Sequence, residues 1–272
     1  MRINGKTLVH GIMGNPVAHT LSPAMHNRAF ETLGLNAVYV PFPVSDAAAA
    51  MAGFRALGVR GVSVTIPHKQ AVIAHLDDID PVAAAIGAVN TLVIENGRIT
   101  GHNTDWIGAN RALEEKIPLA AKKILLLGAG GSARAIGFGL LEAGAGIVLA
   151  SRTPESGREL ARTLSCPWLP LSEIGGLTAD CLINATSVGM APHPDASPVP
   201  GEYLSRFSVV MDIVYSPLET KLLREAKQAG CQVVNGLAML LYQGVAQFEL
   251  WTGQKAPVDI MRESLLAGLS SK

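Results

Sequence analysis

Ile124-Leu125-Leu126-Leu127-Gly128-Ala129-Gly130-Gly131-Ser132-Ala133 runs from an unbroken apolar stretch into a glycine-rich turn, and an apolar, helix-like segment follows at once. The order strand, G-x-G-x-x-[GA], helix is how a Rossmann unit sets a pyrophosphate on a helix N-terminus, where free backbone N–H groups and the helix dipole favour negative charge. Glycines in this spacing also occur in ordinary turns, so the flanking elements carry the reading. A second apolar run, Ile147-Val148-Leu149-Ala150, ends near the point where NAD-binding folds place an acidic residue on the ribose 2′-hydroxyl. Here the chain continues Ser151-Arg152-Thr153. An arginine and two hydroxyls suit a 2′-phosphate, and no carboxylate stands there to repel it, so NADP is expected rather than NAD. The plain alternative makes Arg152 a solvated surface charge.

Working outward, strands are expected at Cys181-Leu182-Ile183-Asn184, Val209-Val210-Met211-Asp212 and Gln232-Val233-Val234, which would complete a doubly wound parallel sheet. After Gly236 the pattern changes: Leu237 to Trp251 and Val258 to Leu269 read as helices with no strand following, free to cross back onto an earlier domain. About 120 residues precede the glycine turn and suffice for a domain of their own. They alternate strand-like runs (Thr7 to Ile12, Ala37 to Val40, Gly61 to Thr65) with helical stretches such as Pro23 to Leu33. Thr91-Leu92-Val93-Ile94 turns through Asn96-Gly97 into Arg98-Ile99-Thr100, a hairpin signal. A helix from about Thr104 to Lys116 bridges to the second half. The fold class is therefore α/β with two domains around a cleft: residues 1–103 plus 237–272 for the substrate, residues 104–236 as the NADP-binding Rossmann domain.

Of 272 residues, 49% are hydrophobic, enough for two modest cores, and 22 basic residues balance 22 acidic ones. That balance argues against nucleic acid or an anionic membrane as the main partner and for a small molecule. No apolar run reaches membrane-spanning length, and the N-terminus does not read as a signal peptide, so a cytoplasmic protein is expected. Cys166, Cys181 and Cys231 form no CxxC pair and suit a reducing compartment as buried thiols. No HExxH or Cys/His cluster is present, and no metal is expected.

Hydride transfer to a carbonyl builds negative charge on oxygen, so a nicotinamide enzyme needs a proton donor or cation beside that oxygen. Lys69 follows a strand and Pro67, at the end of an α/β unit where ligand crevices form. Asp105, in Gly101-His102-Asn103-Thr104-Asp105, opens the bridging helix and could orient the ammonium and favour its charged form. Read without chemistry, Lys69 is a surface lysine and Asp105 a helix cap.

These segments carry a resemblance along essentially the whole chain. Gly14-Asn15-Pro16, His19-Thr20-Leu21-Ser22-Pro23, Val64-Thr65-Ile66-Pro67-His68-Lys69, Gly87-Ala88-Val89-Asn90-Thr91 and Asn103-Thr104-Asp105 come first. The glycine turn, Ser151-Arg152-Thr153, Asn184-Ala185-Thr186-Ser187-Val188-Gly189-Met190, Met211-Asp212-Ile213-Val214-Tyr215 and Gly236-Leu237-Ala238-Met239-Leu240 up to Gln243 follow in order. The chain resembles the shikimate dehydrogenase family, which reduces 3-dehydroshikimate to shikimate with NADPH in aromatic amino-acid biosynthesis. The resemblance implies an oxidoreductase acting on a CH–OH group, with Lys69 and Asp105 as the catalytic pair. It implies Thr20, Ser22 and Thr65 on the substrate carboxylate, Asn90, Asp105 and Gln243 on ring hydroxyls, and Tyr215 helping to close the pocket. On the cofactor it implies Gly128, Ala129, Gly130, Gly131, Ser132 and Ala133 at the pyrophosphate and Ser151, Arg152 and Thr153 at the 2′-phosphate. Thr186, Ser187, Met211, Ile213 and Gly236 would complete the cofactor site. Its partner is expected to be the small-molecule substrate, with a homodimer as the candidate assembly.

Each of these also has a plain reading: Asn184 to Ser187 as a strand-terminating turn, Gln243 as a solvated helix residue, Thr20 or Ser22 as the N-cap ahead of Pro23. Two departures from the family pattern stand out. Thr20 replaces the first serine of Ser-x-Ser-Pro, and Ser63 stands where the family often has Asn. The extra methyl of Thr20 bears on tolerance of a bulkier C1, as in quinate, so a quinate or aminoshikimate dehydrogenase paralogue is the nearest alternative. A non-catalytic NADP sensor and a folate dehydrogenase of similar plan are more distant ones.

Overall fold

In the computed structural model, which describes residues 3–270, the chain divides into two compact units. Unit 1 holds residues 1–104 and 243–272 and unit 2 holds residues 105–242. The division falls after Thr104 and after Tyr242, where the sequence reading places it after Asn103 and Gly236.

Unit 1 begins with β1 (Leu8–Gly14), α1 (Ser22–Thr32), β2 (Ala37–Pro43), α2 (Ala47–Ala56) and β3 (Gly61–Val64). It continues with β4 (Asp78–Ile79), α3 (Pro81–Ile86), β5 (Thr91–Glu95) and β6 (Arg98–His102). Local signals account for most boundaries. The Asp46 side chain caps α2 by accepting from the Ala49 N–H, and Asp80 caps α3 by accepting from Val82 and Ala83, with Pro81 in the first turn. Gly87, at φ +69°, ends α3 in the left-handed conformation that glycine adopts without steric cost. Asn96 and Gly97, both at positive φ (51° and 78°), make the turn that folds β5 back on β6.

The six strands order as β2-β1-β3-β5-β6-β4. β2, β1 and β3 are parallel, while β3, β5 and β6 pair antiparallel. One core gathers Met13, Met51, Phe54, Val62, Val64, Leu92 and Ile99. A separate aromatic cluster brings Phe30, Tyr39, Phe248 and Trp251 around His10 and His26.

Unit 2 contains α4 (Asp105–Glu114), β7 (Lys123–Leu127), α5 (Gly131–Glu142), β8 (Gly146–Ser151), α6 (Pro154–Thr163) and β9 (Trp168–Pro170). β10 (Cys181–Asn184), β11 (Val209–Asp212), α7 (Lys221–Gln228) and β12 (Gln232–Val234) follow. All its strands are parallel, in the order β12-β11-β10-β7-β8-β9. This is the doubly wound Rossmann order, with its switch point between β7 and β10. Successive side chains of a strand face opposite ways, and a parallel sheet is covered on both faces, which explains the unbroken apolar run of β7. Ile124 and Leu126 enter one core with Ala109, Leu113 and Ile136, while Leu125 and Leu127 enter another with Leu182, Val210 and Leu223.

The short β9 escapes the sequence reading because three residues ending in proline give no alternation to detect. Two helices close the chain, α8 (Gly236–Thr252), which carries the second unit boundary, and α9 (Val258–Ser270), which packs on α1 within unit 1. Among the described residues, no helix is long and apolar enough to cross a membrane.

Candidate functional site

Of the residues expected at the substrate, Thr20, Ser22, Thr65, Lys69, Asn90 and Gln243 lie in unit 1, and Asp105 and Tyr215 in unit 2. After β3 the chain is pinned at each step. Thr65 N–H donates to Met13 O (2.9 Å), His68 N–H to Thr65 O (2.9 Å), and Val89 N–H to Lys69 O (2.8 Å). His68 is buried, and its Nε2 lies 2.8 Å from Val44 O. Lys69, half-buried, therefore projects from a backbone anchored on both sides. Gly14 lets Thr65 stand where it does: a Cβ there would lie 2.3 Å from the Thr65 methyl carbon.

Thr20 and Ser22 sit together, Thr20 Oγ1 donating to Ser22 Oγ over 3.2 Å. The N-cap position of α1 falls on Leu21, which supplies no side-chain cap, and Ser22 is the first helical residue. The capping alternative for these two hydroxyls is thus not taken up, and Thr20 Oγ1 instead receives the Ser22 N–H (3.3 Å).

Asn90 and Gln243, far apart in sequence, meet with Asn90 Nδ2 donating to Gln243 Oε1 (3.4 Å). Gln243 is buried, so the solvated-helix alternative for it fails. Asn90 Nδ2 also donates to Thr104 Oγ1 (3.0 Å), and Asn90 Oδ1 accepts from Thr104 N–H (2.8 Å). Thr104 is bonded to Asp105, the first residue of α4, which is 4% exposed. Thr104, absent from the expected set, is thus the link between Asn90 and the start of α4. Its neighbour Asn103 is likewise buried and donates to Ala88 O (2.8 Å).

In unit 2 the glycine turn fits a pyrophosphate by its own geometry. Gly128 has φ +113°, a conformation that L side chains rarely adopt, and a Cβ there would meet Ala185 O at 3.1 Å and the Thr186 methyl at 3.0 Å. A Cβ on Gly130 would project into open space, so the backbone there can be approached closely. Gly130 is the N-cap of α5 and offers no side-chain cap of its own to the first-turn amides. Ala129 and Ser132 are only part-buried, whereas Ala133 is fully buried and joins the core beneath the loop.

At the end of β8, Arg152 and Thr153 are exposed while Ser151 is buried. Ser151 Oγ donates to Thr153 O (3.0 Å) and accepts from Trp168 Nε1 (3.0 Å), so this hydroxyl shapes the turn that presents its two neighbours.

The loop after β10 is organised from below by Asp212, fully buried at the end of β11. Its carboxylate accepts from Thr220 Oγ1 (2.7 Å), Val214 N–H (3.0 Å) and Asn184 Nδ2 (3.0 Å). Burial pushes its pKa up to about 6, against the pull of those three donors. Asn184 Oδ1 in turn accepts from the N–H and hydroxyl of Thr186 (3.1 and 2.6 Å), which holds Thr186 and the exposed Ser187 at the switch point. Met211 is fully buried in the core, with part-buried Ile213 packed against it, and Tyr215 is half-buried on the loop that follows.

Gly236 opens α8 where a Cβ would lie 2.2 Å from Ile213 O. Backbone cannot yield as a flexible side chain can. Gly236→Ala is therefore expected to lower stability by about 2 kcal/mol, the usual scale of overpacking. Chemical denaturation measures it, and a loss under roughly 0.5 kcal/mol would show that the approach is looser than described.

Comparison with known proteins adds the following. A family model described as the shikimate dehydrogenase substrate binding domain matches residues 12–92, and one described as the shikimate 5′-dehydrogenase C-terminal domain matches residues 236–266. A shikimate dehydrogenase (NADP(+)) of Methanothermobacter thermautotrophicus is 50% identical over 275 aligned residues, with 97% of each chain covered. A crystal structure of a shikimate dehydrogenase in complex with NADP+ superposes with a TM-score of 0.93 at 43% identity, covering 98% of each chain. The Thermus thermophilus enzyme, solved with NADP(H) and shikimate, gives 0.89 at 42% identity, covering 97% of this chain and 100% of its own.

Proposed function

Since the chain belongs to the shikimate dehydrogenase family, we propose that it interconverts 3-dehydroshikimate and shikimate with NADP as the hydride carrier. The observation that carries this reading is the division of chemistry between the units. Unit 1 assembles paired hydroxyls at Thr20 and Ser22 and paired amides at Asn90 and Gln243, beside a loop that anchors Lys69. Unit 2 supplies a glycine cradle on a helix N-terminus and an exposed Arg152 at the next strand end.

In this reading Thr20, Ser22 and Thr65 grip the substrate carboxylate without adding a second cation near the reacting carbon. Asn90, Gln243 and Asp105 hold ring hydroxyls, and Tyr215 closes over the substrate. Lys69 donates the proton to the carbonyl oxygen in the reducing direction and takes it back in the other, with Asp105 as the second member of the catalytic pair. Residues 128–133 would hold the pyrophosphate, Arg152 and Thr153 the 2′-phosphate on the turn shaped by Ser151, and Thr186, Ser187, Met211, Ile213 and Gly236 the nicotinamide end. Bound NADP supplies the hydride acceptor.

A cytoplasmic location fits three unbridged cysteines. Assembly as a homodimer belongs to the same proposal and is read directly by sedimentation equilibrium.

The deciding experiment is initial rates with shikimate and with quinate, each against NADP and NAD. Rapid turnover confined to shikimate and NADP supports the whole reading; a preference for quinate moves the chain to the paralogue, with Thr20 the first suspect. Arg152→Ala should raise KM for NADP about tenfold or more while leaving NAD kinetics unchanged, as expected for loss of charge-assisted bonds to a phosphate. Equal effects on both cofactors would remove Arg152 from 2′-phosphate recognition.

A further inference from the structure

A single directed chain of hydrogen bonds ends on Asn90. Tyr39 OH donates to Ser63 Oγ (2.6 Å), and Ser63 donates to Gln247 Oε1 (2.8 Å). Gln247 Nε2 donates to Thr91 Oγ1 (2.9 Å) and to Asn90 O (3.1 Å), and Thr91 donates its hydroxyl proton to Asn90 Oδ1 (2.7 Å). Each hydroxyl has one proton to give, and in this direction every proton is used once. The direction is fixed at its end by Thr104 N–H, which can only donate and which also points at Asn90 Oδ1 (2.8 Å). A flipped Asn90 would set its NH2 against that N–H and take from the Thr91 hydroxyl its 2.7 Å acceptor.

The six side chains in this set are at most 5% exposed, so water is not at hand to replace a missing member. Gln247 lies one helical turn beyond Gln243 on α8, and Trp251 one turn further donates to Leu92 O (3.0 Å). The face of α8 that carries Gln243 to Asn90 is thus locked onto β5 by its next two turns.

We propose that Gln247 is a positioning residue for substrate: through Thr91 it holds the Asn90 amide in the orientation that turns Nδ2 towards Gln243 and Thr104, with Tyr39 and Ser63 holding Gln247 in turn. The proposal rests on the activity reading above for its kinetic consequence and on hydrogen bonding alone for its structural one, so two measurements separate them.

In Gln247→Met, amide hydrogen exchange at Thr104 should quicken about tenfold while the amides of Ile124–Leu127 in the other unit keep their wild-type rates. Unchanged exchange at Thr104 overturns the proposal whether or not the protein turns over shikimate. Absence of wild-type turnover overturns the activity reading alone. Kinetically, Gln247→Met should raise KM for shikimate about tenfold, with kcat and KM for NADP within about twofold of wild type. In an Asn90→Ala background the same substitution should have no further effect, because the relay would have nothing left to orient. Equal losses in both backgrounds would show a merely structural role and overturn the proposal. If Gln247→Met does not fold, Tyr39→Phe decides. That variant keeps the ring and should raise KM for shikimate about threefold, again only while Asn90 is present. A wild-type KM in Tyr39→Phe overturns it.

Discussion

Lys69→Ala is expected to lower kcat for shikimate oxidation by roughly a hundredfold or more, the scale on which enzymes lose a positioned proton donor or acceptor. The reason is local. Thr65, His68, Lys69 and Val89 fix the backbone at this point through main-chain bonds, and His68 is further pinned to Val44 O. Removal of the lysine side chain therefore deletes one ammonium without releasing the loop. The thermal midpoint and the KM for NADP should stay near wild type, so the loss appears in kcat. Lys69→Arg should fare little better: it restores the charge, but a guanidinium does not give up its proton at neutral pH. Steady-state rates for the two variants settle the point. A kcat within about threefold of wild type in Lys69→Ala would remove this residue from proton transfer and shift attention to a solvent proton.

Unit 1 should lose stability steeply on mild acidification, and two histidines are the cause. His10 and His26 are buried among Phe30, Tyr39, Phe248 and Trp251, and neither the two nitrogens of His26 nor Nδ1 of His10 has a hydrogen-bond partner. Burial, reinforced by nearby Arg60, lowers the pKa of His10 from 6.5 to about 4. Burial, reinforced by His10, lowers that of His26 to about 3. Both are therefore neutral in the fold and protonated in the unfolded chain once the pH drops below 6.5, so the unfolded state binds more protons and stability falls with pH. At 1.36 kcal/mol per unit of displacement, pH 5 costs about 2 kcal/mol for each histidine, and the loss continues towards the folded pKa values.

Asp212 works the other way in unit 2. Its pKa of about 6 lies above that of an unfolded aspartate, so the fold binds the extra proton and gains relative stability as pH falls from 6 towards 4. Amide exchange followed between pH 7.5 and 5 should thus show unit 1 opening while unit 2 holds. His26→Phe, which keeps an aromatic ring against Tyr39, should remove about half of the slope. A unit 1 whose opening free energy is flat across that range would mean that the two rings find partners on protonation.

How far the sequence could be read depended on the range of the forces involved. The glycine turn, the Asn96-Gly97 hairpin and the strands Cys181–Asn184 and Val209–Asp212 were legible because chain neighbours determine them. The position of Arg152 just past the end of β8 was legible for the same reason: a strand end a set distance beyond the glycine turn is a local fact. The partner of the Ser151 hydroxyl was not legible, since Trp168 reaches it from the next strand. The Thr20 and Ser22 segment looked like a helix start with a capping hydroxyl, and the helix instead begins at Ser22 with Leu21 in the N-cap position. The Tyr39, Ser63 and Gln247 chain was invisible, because its members lie on two strands and the penultimate helix and their polarity matters only once they are buried together. The same holds for His10 and His26, each a lone histidine in the sequence until the fold stacks aromatic rings around both.

Unit 1 is discontinuous in sequence, and this has a consequence for synthesis. Val245, Phe248, Met261 and Leu265, all buried, arrive with residues 243–272, long after the strands of residues 1–104 have left the ribosome. At about 5–20 residues per second, residues 105–242 take on the order of ten seconds to emerge. Throughout that interval the Rossmann half can complete itself on the nascent chain, whereas the N-terminal strands wait uncovered. Residues 243–272 are what end that exposure, so chaperone demand during biogenesis should follow unit 1 rather than unit 2.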